Sequence, residues 1–194
     1  MTVGAIILAA GASSRMGTPK AALGYRGGTF LNGLARLYSR FCDPVIAVLG
    51  YHAAEVRATL DGSLAITVAT NPAPDRGMLS SLQTGLRALP AGLDGFLFTP
   101  VDLPAVQDST VRTLFDRFIA GGGSRICLPV HESRNGHPVL CPVRLVESFL
   151  ALEPQASPKS VIAANEQFVD RIPVNDAGAV NDIDTPGEYR ELSA

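Results

Sequence analysis

Apolar residues along this chain fall in short unbroken runs, separated by segments in which they recur at helical spacing. Gly4-Ala-Ile-Ile-Leu-Ala9 is one such run and ends in a Gly/Ser-rich stretch, which predicts a buried strand. From Thr29 to Phe41, the residues Phe30, Leu31, Leu34, Leu37, Tyr38 and Phe41 line one face of a predicted helix. Val45 to Leu49 predicts a second buried strand, Ala53 to Leu60 a short helix, and Leu64 to Ala69 a third strand. Met78 to Leu89 reads as a helix with Met78, Leu82, Gly85, Leu86 and Leu89 on its inner face. Gly95-Phe-Leu-Phe-Thr99 is a fourth strand, and Ser109 to Ala120 is a helix stopped by Gly121-Gly-Gly123. Arg125 to Pro129 and Pro138 to Cys141 are short strands around a turn-rich loop. Leu145 to Leu152 then reads as a helix and Phe168 to Val174 as a last strand. Thr185-Pro-Gly-Glu188 fits a capping box with proline at the first helical position, opening a terminal helix to Leu192.

Strands that are apolar throughout and alternate with helices imply a parallel sheet covered on both faces. The expectation is an α/β protein in one domain over residues 1–194, with no repeats, low-complexity tracts or linkers. In such sheets ligands sit at the carboxyl ends of the strands, near a topological switch point.

Length and composition agree with that picture. A chain of 194 residues can bury one full core and is short for two. With 46% hydrophobic and 18% charged residues it is globular in type. A net charge of −2 gives no general drive toward nucleic acid or an anionic membrane. Its distribution is uneven. Residues 1–90 hold eight basic and four acidic residues, whereas residues 91–194 hold eight and fourteen. A basic half suits a polyphosphate and an acidic half can supply carboxylates to a metal, although chance asymmetry on a solvated surface gives the same count.

Three cysteines, Cys42, Cys127 and Cys141, are too few and odd in number for a disulfide framework and point to a reducing, cytoplasmic setting. No run reaches the roughly 18 apolar residues of a membrane helix. Val3 to Ala12 has the apolarity of a signal peptide but lacks a basic leader, and Arg15 and Lys20 follow at once.

The chemistry concentrates after the first strand, in Leu8-Ala-Ala-Gly-Ala-Ser-Ser-Arg-Met-Gly-Thr-Pro-Lys20. Gly11 and Gly17 let backbone amides approach an anion, Ser13 and Ser14 add hydroxyls, and Arg15 and Lys20 add two cations. Lys20 is one of only two lysines, the other being Lys159, in a chain that otherwise uses arginine. The spacing is neither a Walker A loop nor a Gly-x-Gly-x-x-Gly dinucleotide fingerprint. Composition alone also permits an ordinary glycine-rich turn with two surface cations.

This loop resembles the signature of the MobA/MocA-like nucleotidyltransferases, LAAGxSxRMGxxK, at Leu8, Ala9, Ala10, Gly11, Ser13, Arg15, Met16, Gly17 and Lys20. Asn71-Pro72, Gly77-Met78 and Ser80-Ser81-Leu82 are similar to the family's second motif. Pro100-Val-Asp-Leu-Pro104 is similar to its aspartate motif, and Gly136-His-Pro138 with Asp182-Ile-Asp-Thr-Pro186 to the closing motifs of the MocA-like branch.

The resemblance implies a three-layer α/β/α Rossmann-like nucleotidyltransferase fold with a mostly parallel sheet. It implies that the loop, including Ser14, wraps a triphosphate, that Arg15, Lys20 and Asp102 are the catalytic residues, and that Asn71, Gly77 and Ser81 lie by the base and ribose. Mg²⁺ is then expected on Asp102 and Asp182, with Asp184 as substitute, because Mg²⁺ takes one or two carboxylates plus phosphate oxygens and water. Asp184 also directly precedes Thr185, where it can simply support a helix N-terminus. Gly136, His137 and Pro138 are placed on the acceptor side.

In this family the Leu-Ala-Ala-Gly form of the loop resembles the cytidylyl-transferring branch and the Leu-Ala-Gly-Gly form the guanylyl-transferring one. Ala10 therefore favours CTP over GTP. The implied acceptor is a molybdopterin-type cofactor, with a molybdoenzyme as a partner and no role for nucleic acid or membrane. Two places depart from the family pattern. Ala156-Ser-Pro-Lys-Ser160 replaces the usual Gly-Asp-x-Gly-Ala-Arg segment, and Glu-Ser-Arg-Asn precedes Gly136. Both belong to the acceptor side. A sugar 1-phosphate or other small phosphate ester is the alternative acceptor, and a non-catalytic cofactor carrier is the alternative of another class; a carrier would show a broken donor loop, and this one is intact. Cys127, His131, His137 and Cys141 fall within fifteen residues. Their spacing matches no standard zinc pair, and both cysteines sit in apolar strand contexts.

Overall fold

The computed structural model describes residues 1–192. At its centre is β1 (Val3–Ala9), buried along its whole length. A hairpin of β2 (Gly24–Tyr25) and β3 (Gly28–Thr29) leads into α1 (Phe30–Tyr38), whose N-terminus is capped by the Thr29 side chain accepting from the Asn32 amide. There follow β4 (Val45–Leu49), α2 (Ala53–Ala58), β5 (Ile66–Thr70), α3 (Met78–Arg87), β6 (Gly95–Pro100) and α4 (Asp108–Ala120). The second half adds β7 (Ile126–His131), β8 (Arg134–Asn135), β9 (Val139–Pro142), α5 (Val146–Leu150), α6 (Lys159–Ala164), β10 (Val169–Pro173) and α7 (Pro186–Leu192).

The strands pair in the order β10-β7-β9-β6-β1-β4-β5, with β8 folded back onto β7. β1, β4, β5 and β6 run parallel, as do β7 and β10. β9 runs against the direction of the main sheet, antiparallel between β6 and β7, and the short β8 is antiparallel to β7. The cause is the short connection. After β7 the chain turns through Glu132 and Ser133, at φ of 47° and 66°, and the small β8 arm returns it directly, whereas a parallel return needs a long crossover.

Alternate residues of each strand feed two cores. On one face Ala5, Ile7, Val45 and Ala47 pack with Phe30, Leu34 and Tyr38 of α1 and Leu114 and Phe118 of α4. On the other, Ile6, Leu8, Ile46 and Val48 pack with Leu82 and Leu86 of α3, Phe149 of α5 and Val161 of α6. Ile6 and Ile7 are both fully buried, and each such side chain contributes about 1.5–3 kcal/mol by leaving water. The result is the expected three-layer arrangement.

The sequence pattern misplaces one helical face. Leu79, not Met78, enters the core from α3, and Met78 is 48% exposed. Val143–Leu145 is a 3₁₀ turn that shortens the helix predicted from Leu145, and α6 forms where no helix is predicted. No helix among the described residues is long and apolar enough to cross a membrane.

β1 is the point at which strand order reverses: β4 follows it on one side and β6 joins it on the other. The loops leaving the carboxyl ends of β1 and β6 therefore flank one crevice.

Candidate functional site

The loop after β1 is held from below before it turns outward. Ala10 is buried, and its carbonyl accepts from the Tyr51 amide at 3.4 Å. Gly50, at the end of β4, passes so close that a Cβ there would lie 2.5 Å from the Ala10 carbonyl oxygen and 2.7 Å from its methyl. Only glycine permits this approach. Two residues on, His52 donates from Nε2 to the Ala12 carbonyl at 2.9 Å, since a carbonyl can only accept.

The loop then reverses at Ser13, a non-glycine residue at φ 51°, whose carbonyl receives the amides of Met16 and Gly17 at 2.9 and 3.2 Å. Gly17 itself has φ 69°, which a residue with a Cβ adopts at a cost. Ser13 Oγ accepts from the Lys20 amide at 3.0 Å and so fixes where the lysine begins. Gly11, Ala12, Ser14 and Arg15 are left exposed on the outer turn.

Lys20 reaches into a cleft of about 210 Å³ and donates from Nζ to two carboxylates, Asp102 Oδ2 at 3.0 Å and Asp184 Oδ1. Arg15 Nη2 donates to Asp184 Oδ2 at 2.6 Å. The backbone of Ile183 donates to the Asp102 carbonyl at 2.8 Å and draws the C-terminal segment against the end of β6. The capping box at α7 forms as predicted: Glu188 Oε2 accepts from the amides of Asp184 and Thr185, both at 2.8 Å, and the Glu188 amide donates to Thr185 Oγ1 at 3.3 Å. Because Thr185 caps the helix, the Asp184 carboxylate is free to face the cations.

The charges of the cleft are unequal in their partners. Burial pulls the Lys20 ammonium down, but the Asp184 hydrogen bond and the Asp102 charge outweigh it and hold it above the ordinary lysine value. The Lys20 hydrogen bond, joined by Arg15, holds Asp184 below the usual carboxylate range. Burial holds Asp102 above that range, against the pull of Lys20, with Asp182 and Asp184 adding repulsion. Asp184 is thus the committed anion, and Asp102 is a partly buried carboxylate with Lys20 as its one close cation.

The structure brings most of the predicted donor residues together. Leu8, Ala9, Gly11, Ser13, Ser14, Arg15, Lys20, Asp102 and Asp184 line the cleft, and His52 joins them. Ala10 supports the loop from beneath, and Gly17 turns it on its exposed side. Asp182 is exposed and borders a separate depression with Arg134. Asn71 and Ser81 are buried: Asn71 Nδ2 donates to Ser80 Oγ at 2.8 Å and Ser81 Oγ at 3.0 Å, and Asn71 Oδ1 receives the Ala73 amide at 3.0 Å. They brace the turn that presents Gly77.

Gly77 opens onto a second cavity, of about 610 Å³, with Gly136 and His137 on its lining and Pro138 buried behind. The Gly136 amide donates to Pro129 O and the His137 amide to Ala179 O, both at 2.8 Å. The His137 ring meets Phe98 edge to face with centroids 5.8 Å apart. Burial pushes its pKa down to about 4, against the pull of the Phe98 backbone. Cys127 and Cys141 are fully buried on β7 and β9, and burial pushes the Cys127 thiol up to about 12. His131 donates from Nδ1 to the Val174 carbonyl at 3.0 Å.

Sequence reasoning treats His52 as a loop residue and passes over Arg76, which also lines the second cavity. Neither has a local signal; each is brought to its place by a strand end.

Asp102 and Asp184 converge on one ammonium, so two carboxylates already share a cationic point. That all-oxygen pair fits Mg²⁺, which leaves its other positions to phosphate and water. Among the described residues no larger group of His, Cys, Asp and Glu is gathered for a metal.

The family described as MobA-like NTP transferase domain matches residues 5–169. The chain is 26% identical over 184 residues to the molybdenum cofactor cytidylyltransferase of Escherichia coli strain K12, a match covering 95% of this chain and 92% of the relative. It is 41% identical over 113 residues to a probable molybdenum cofactor guanylyltransferase of Rhodopirellula baltica, covering 56% of this chain and 52% of the relative. Among solved structures it resembles the Mycobacterium tuberculosis H37Rv protein Rv0371c, with a TM-score of 0.83, 25% identity and coverage of 99% and 97% of the two chains. A structure of that protein in complex with manganese gives a TM-score of 0.75 at 25% identity, covering 100% and 98%.

Proposed function

The chain belongs to the MobA-like NTP transferase domain family, and from that premise we propose that it transfers CMP from CTP to the phosphate of a molybdopterin-type cofactor, releasing pyrophosphate with Mg²⁺ held at Asp102 and Asp184. The observation that carries the reading is Lys20 joined to both carboxylates inside the loop cleft.

The loop is built for a triphosphate. Its exposed turn offers backbone amides, and Arg15 and Lys20 supply two positive charges at the mouth and floor of the cleft. A phosphate monoester is largely dianionic near pH 7, because its second pKa is about 6. It attacks without a general base. The acceptor oxygen bonds to the α-phosphorus, the bridging bond to the β-phosphate breaks, and its electron pair leaves with pyrophosphate. No proton moves and no enzyme-bound intermediate is needed. The protein's task is to align the two anions and suppress their repulsion. Arg15 and Lys20 do this on the donor side, while Asp102 and Asp184 orient Lys20. A divalent cation held by those carboxylates would supply further neutralisation of the phosphates, and the mycobacterial relative has a structure in complex with manganese, also a divalent ion.

The molybdopterin-type acceptor is supported by the names of both curated relatives, and the cytidylyl assignment by Ala10 and the Escherichia coli relative. The Ala10 methyl packs toward Gly50 and does not line the cleft. Base preference therefore acts through the path of the loop rather than through direct contact with that methyl. Pyrophosphate release by the purified protein, assayed over an NTP panel with molybdopterin and with glucose 1-phosphate, tests the proposal.

A further inference from the structure

The second cavity carries positive charge that the protein does not balance. Arg76 and Lys159 both line it, and neither side chain forms an ion pair or hydrogen bond with any described residue. The third cation on the lining, Arg171, is already satisfied by Glu166 through bonds of 2.5 and 3.1 Å. Glu166 is the one carboxylate among the lining residues. Two cations are thus left facing a shared space.

His137 also lines the cavity, its ring edge to face with Phe98. Phe98, Leu128, Val139 and Ile162 form an apolar part of the wall, beside the polar side chains of Asn135, Gln155 and Ser157. An apolar wall with a few convergent polar groups suits a ring-bearing molecule with an anionic substituent. Against the Phe98 side of the wall an aromatic ring loses no hydrogen bonds, whereas a sugar ring sets hydroxyls there. Phe98 lies on β6, the strand whose end carries Asp102, so the cavity and the loop cleft open from the same strand.

We propose that Arg76 and Lys159 are the acceptor-specificity cations of this protein: they pair with the phosphate monoester of an acceptor whose aromatic ring lies against the Phe98 wall. This rests on the transferase reading above.

Binding can be read without turnover. Fluorescence titrations would use 6-hydroxymethylpterin monophosphate and unphosphorylated 6-hydroxymethylpterin, with CTP·Mg²⁺ binding measured on the same preparations. The wild-type protein should prefer the phosphorylated pterin by about tenfold or more. Arg76→Ala and Lys159→Ala should each lower that preference several-fold, the double variant should abolish it, and Lys159→Arg should keep it. CTP affinity should stay at the wild-type level throughout, and glucose 1-phosphate should not displace the pterin. The proposal is overturned by an unchanged preference in the double variant, by a preference lost in Lys20→Ala instead, by glucose 1-phosphate competing, or by a wild-type protein that binds neither pterin. Failure of the wild-type protein to bind CTP·Mg²⁺ counts separately, against the transferase reading.

Discussion

Lys20 and Asp184, 164 residues apart in the chain, are hydrogen-bonded to each other across the cleft. Arg15 holds the other oxygen of the same carboxylate at 2.6 Å. The C-terminal segment thus rests on the two cations of the loop. On the proposed function an incoming nucleotide would draw Arg15 and Lys20 from Asp184, and a divalent ion at that carboxylate would take their place.

Asp184 and Asp182 should therefore behave differently. Asp184→Asn is expected to weaken Mg²⁺-dependent turnover by tenfold or more, at about 1.4 kcal/mol per factor of ten, whereas Asp182→Asn should stay within a factor of about two. Turnover against Mg²⁺ concentration for the two variants checks this; equal losses would show that the exposed aspartate also reaches the metal.

Removing the floor of the cleft should be more severe. Lys20→Ala and Asp102→Ala are expected to cut turnover by about 10²–10³, the range for a preorganised charge aimed at the reacting phosphates. Circular dichroism and melting temperature should change little, because both side chains lie at the cleft and outside the two cores. Near-normal pyrophosphate release by either variant would remove it from the mechanism.

Gly50→Ala tests the support beneath the loop. Its Cβ would meet the Ala10 carbonyl oxygen at 2.5 Å, a backbone atom that cannot rotate away. Overpacking of this kind costs about 1–3 kcal/mol. Denaturant unfolding should show that loss, and the KM for the nucleotide should rise more than the KM for the acceptor, because the strain falls on the donor loop.

The donor loop and strands were legible in the sequence because their signals are local. A continuous apolar run from Gly4 to Ala9, then glycines, hydroxyls and cations, needs no distant residue to be read. The direction of β9 was not legible, since a short apolar strand looks the same either way and only the turn through Glu132 and Ser133 decides it. The pattern put Asp182 ahead of Asp184, yet it is Asp184 that meets Lys20 while Asp182 is exposed. Their placement is set by Ile183, buried and bonded to the Asp102 carbonyl, and by Thr185, which takes over the helix cap. Asn71 and Ser81 match a nucleotide motif yet bond to each other below the surface, so a motif residue can shape a site without lining it.

His137 gives a pH signature. In the folded protein burial keeps its imidazole neutral down to about pH 4, whereas the unfolded chain takes up the proton near 6.5. Between those values the unfolded state binds more protons, so this residue makes stability fall as pH drops from 6.5 toward 4, with no further loss below. An NMR titration of the ring should place its midpoint near 4; a midpoint at 6 or above would mean that the ring is solvated.

The most direct test of the central claim is pyrophosphate release by purified wild-type protein with Mg²⁺, molybdopterin and each of the four common ribonucleoside triphosphates. Release that requires molybdopterin, is fastest with CTP and collapses in Lys20→Ala is the predicted result. No release above the protein-free blank with any nucleotide, or release that is indifferent to Lys20, would contradict it.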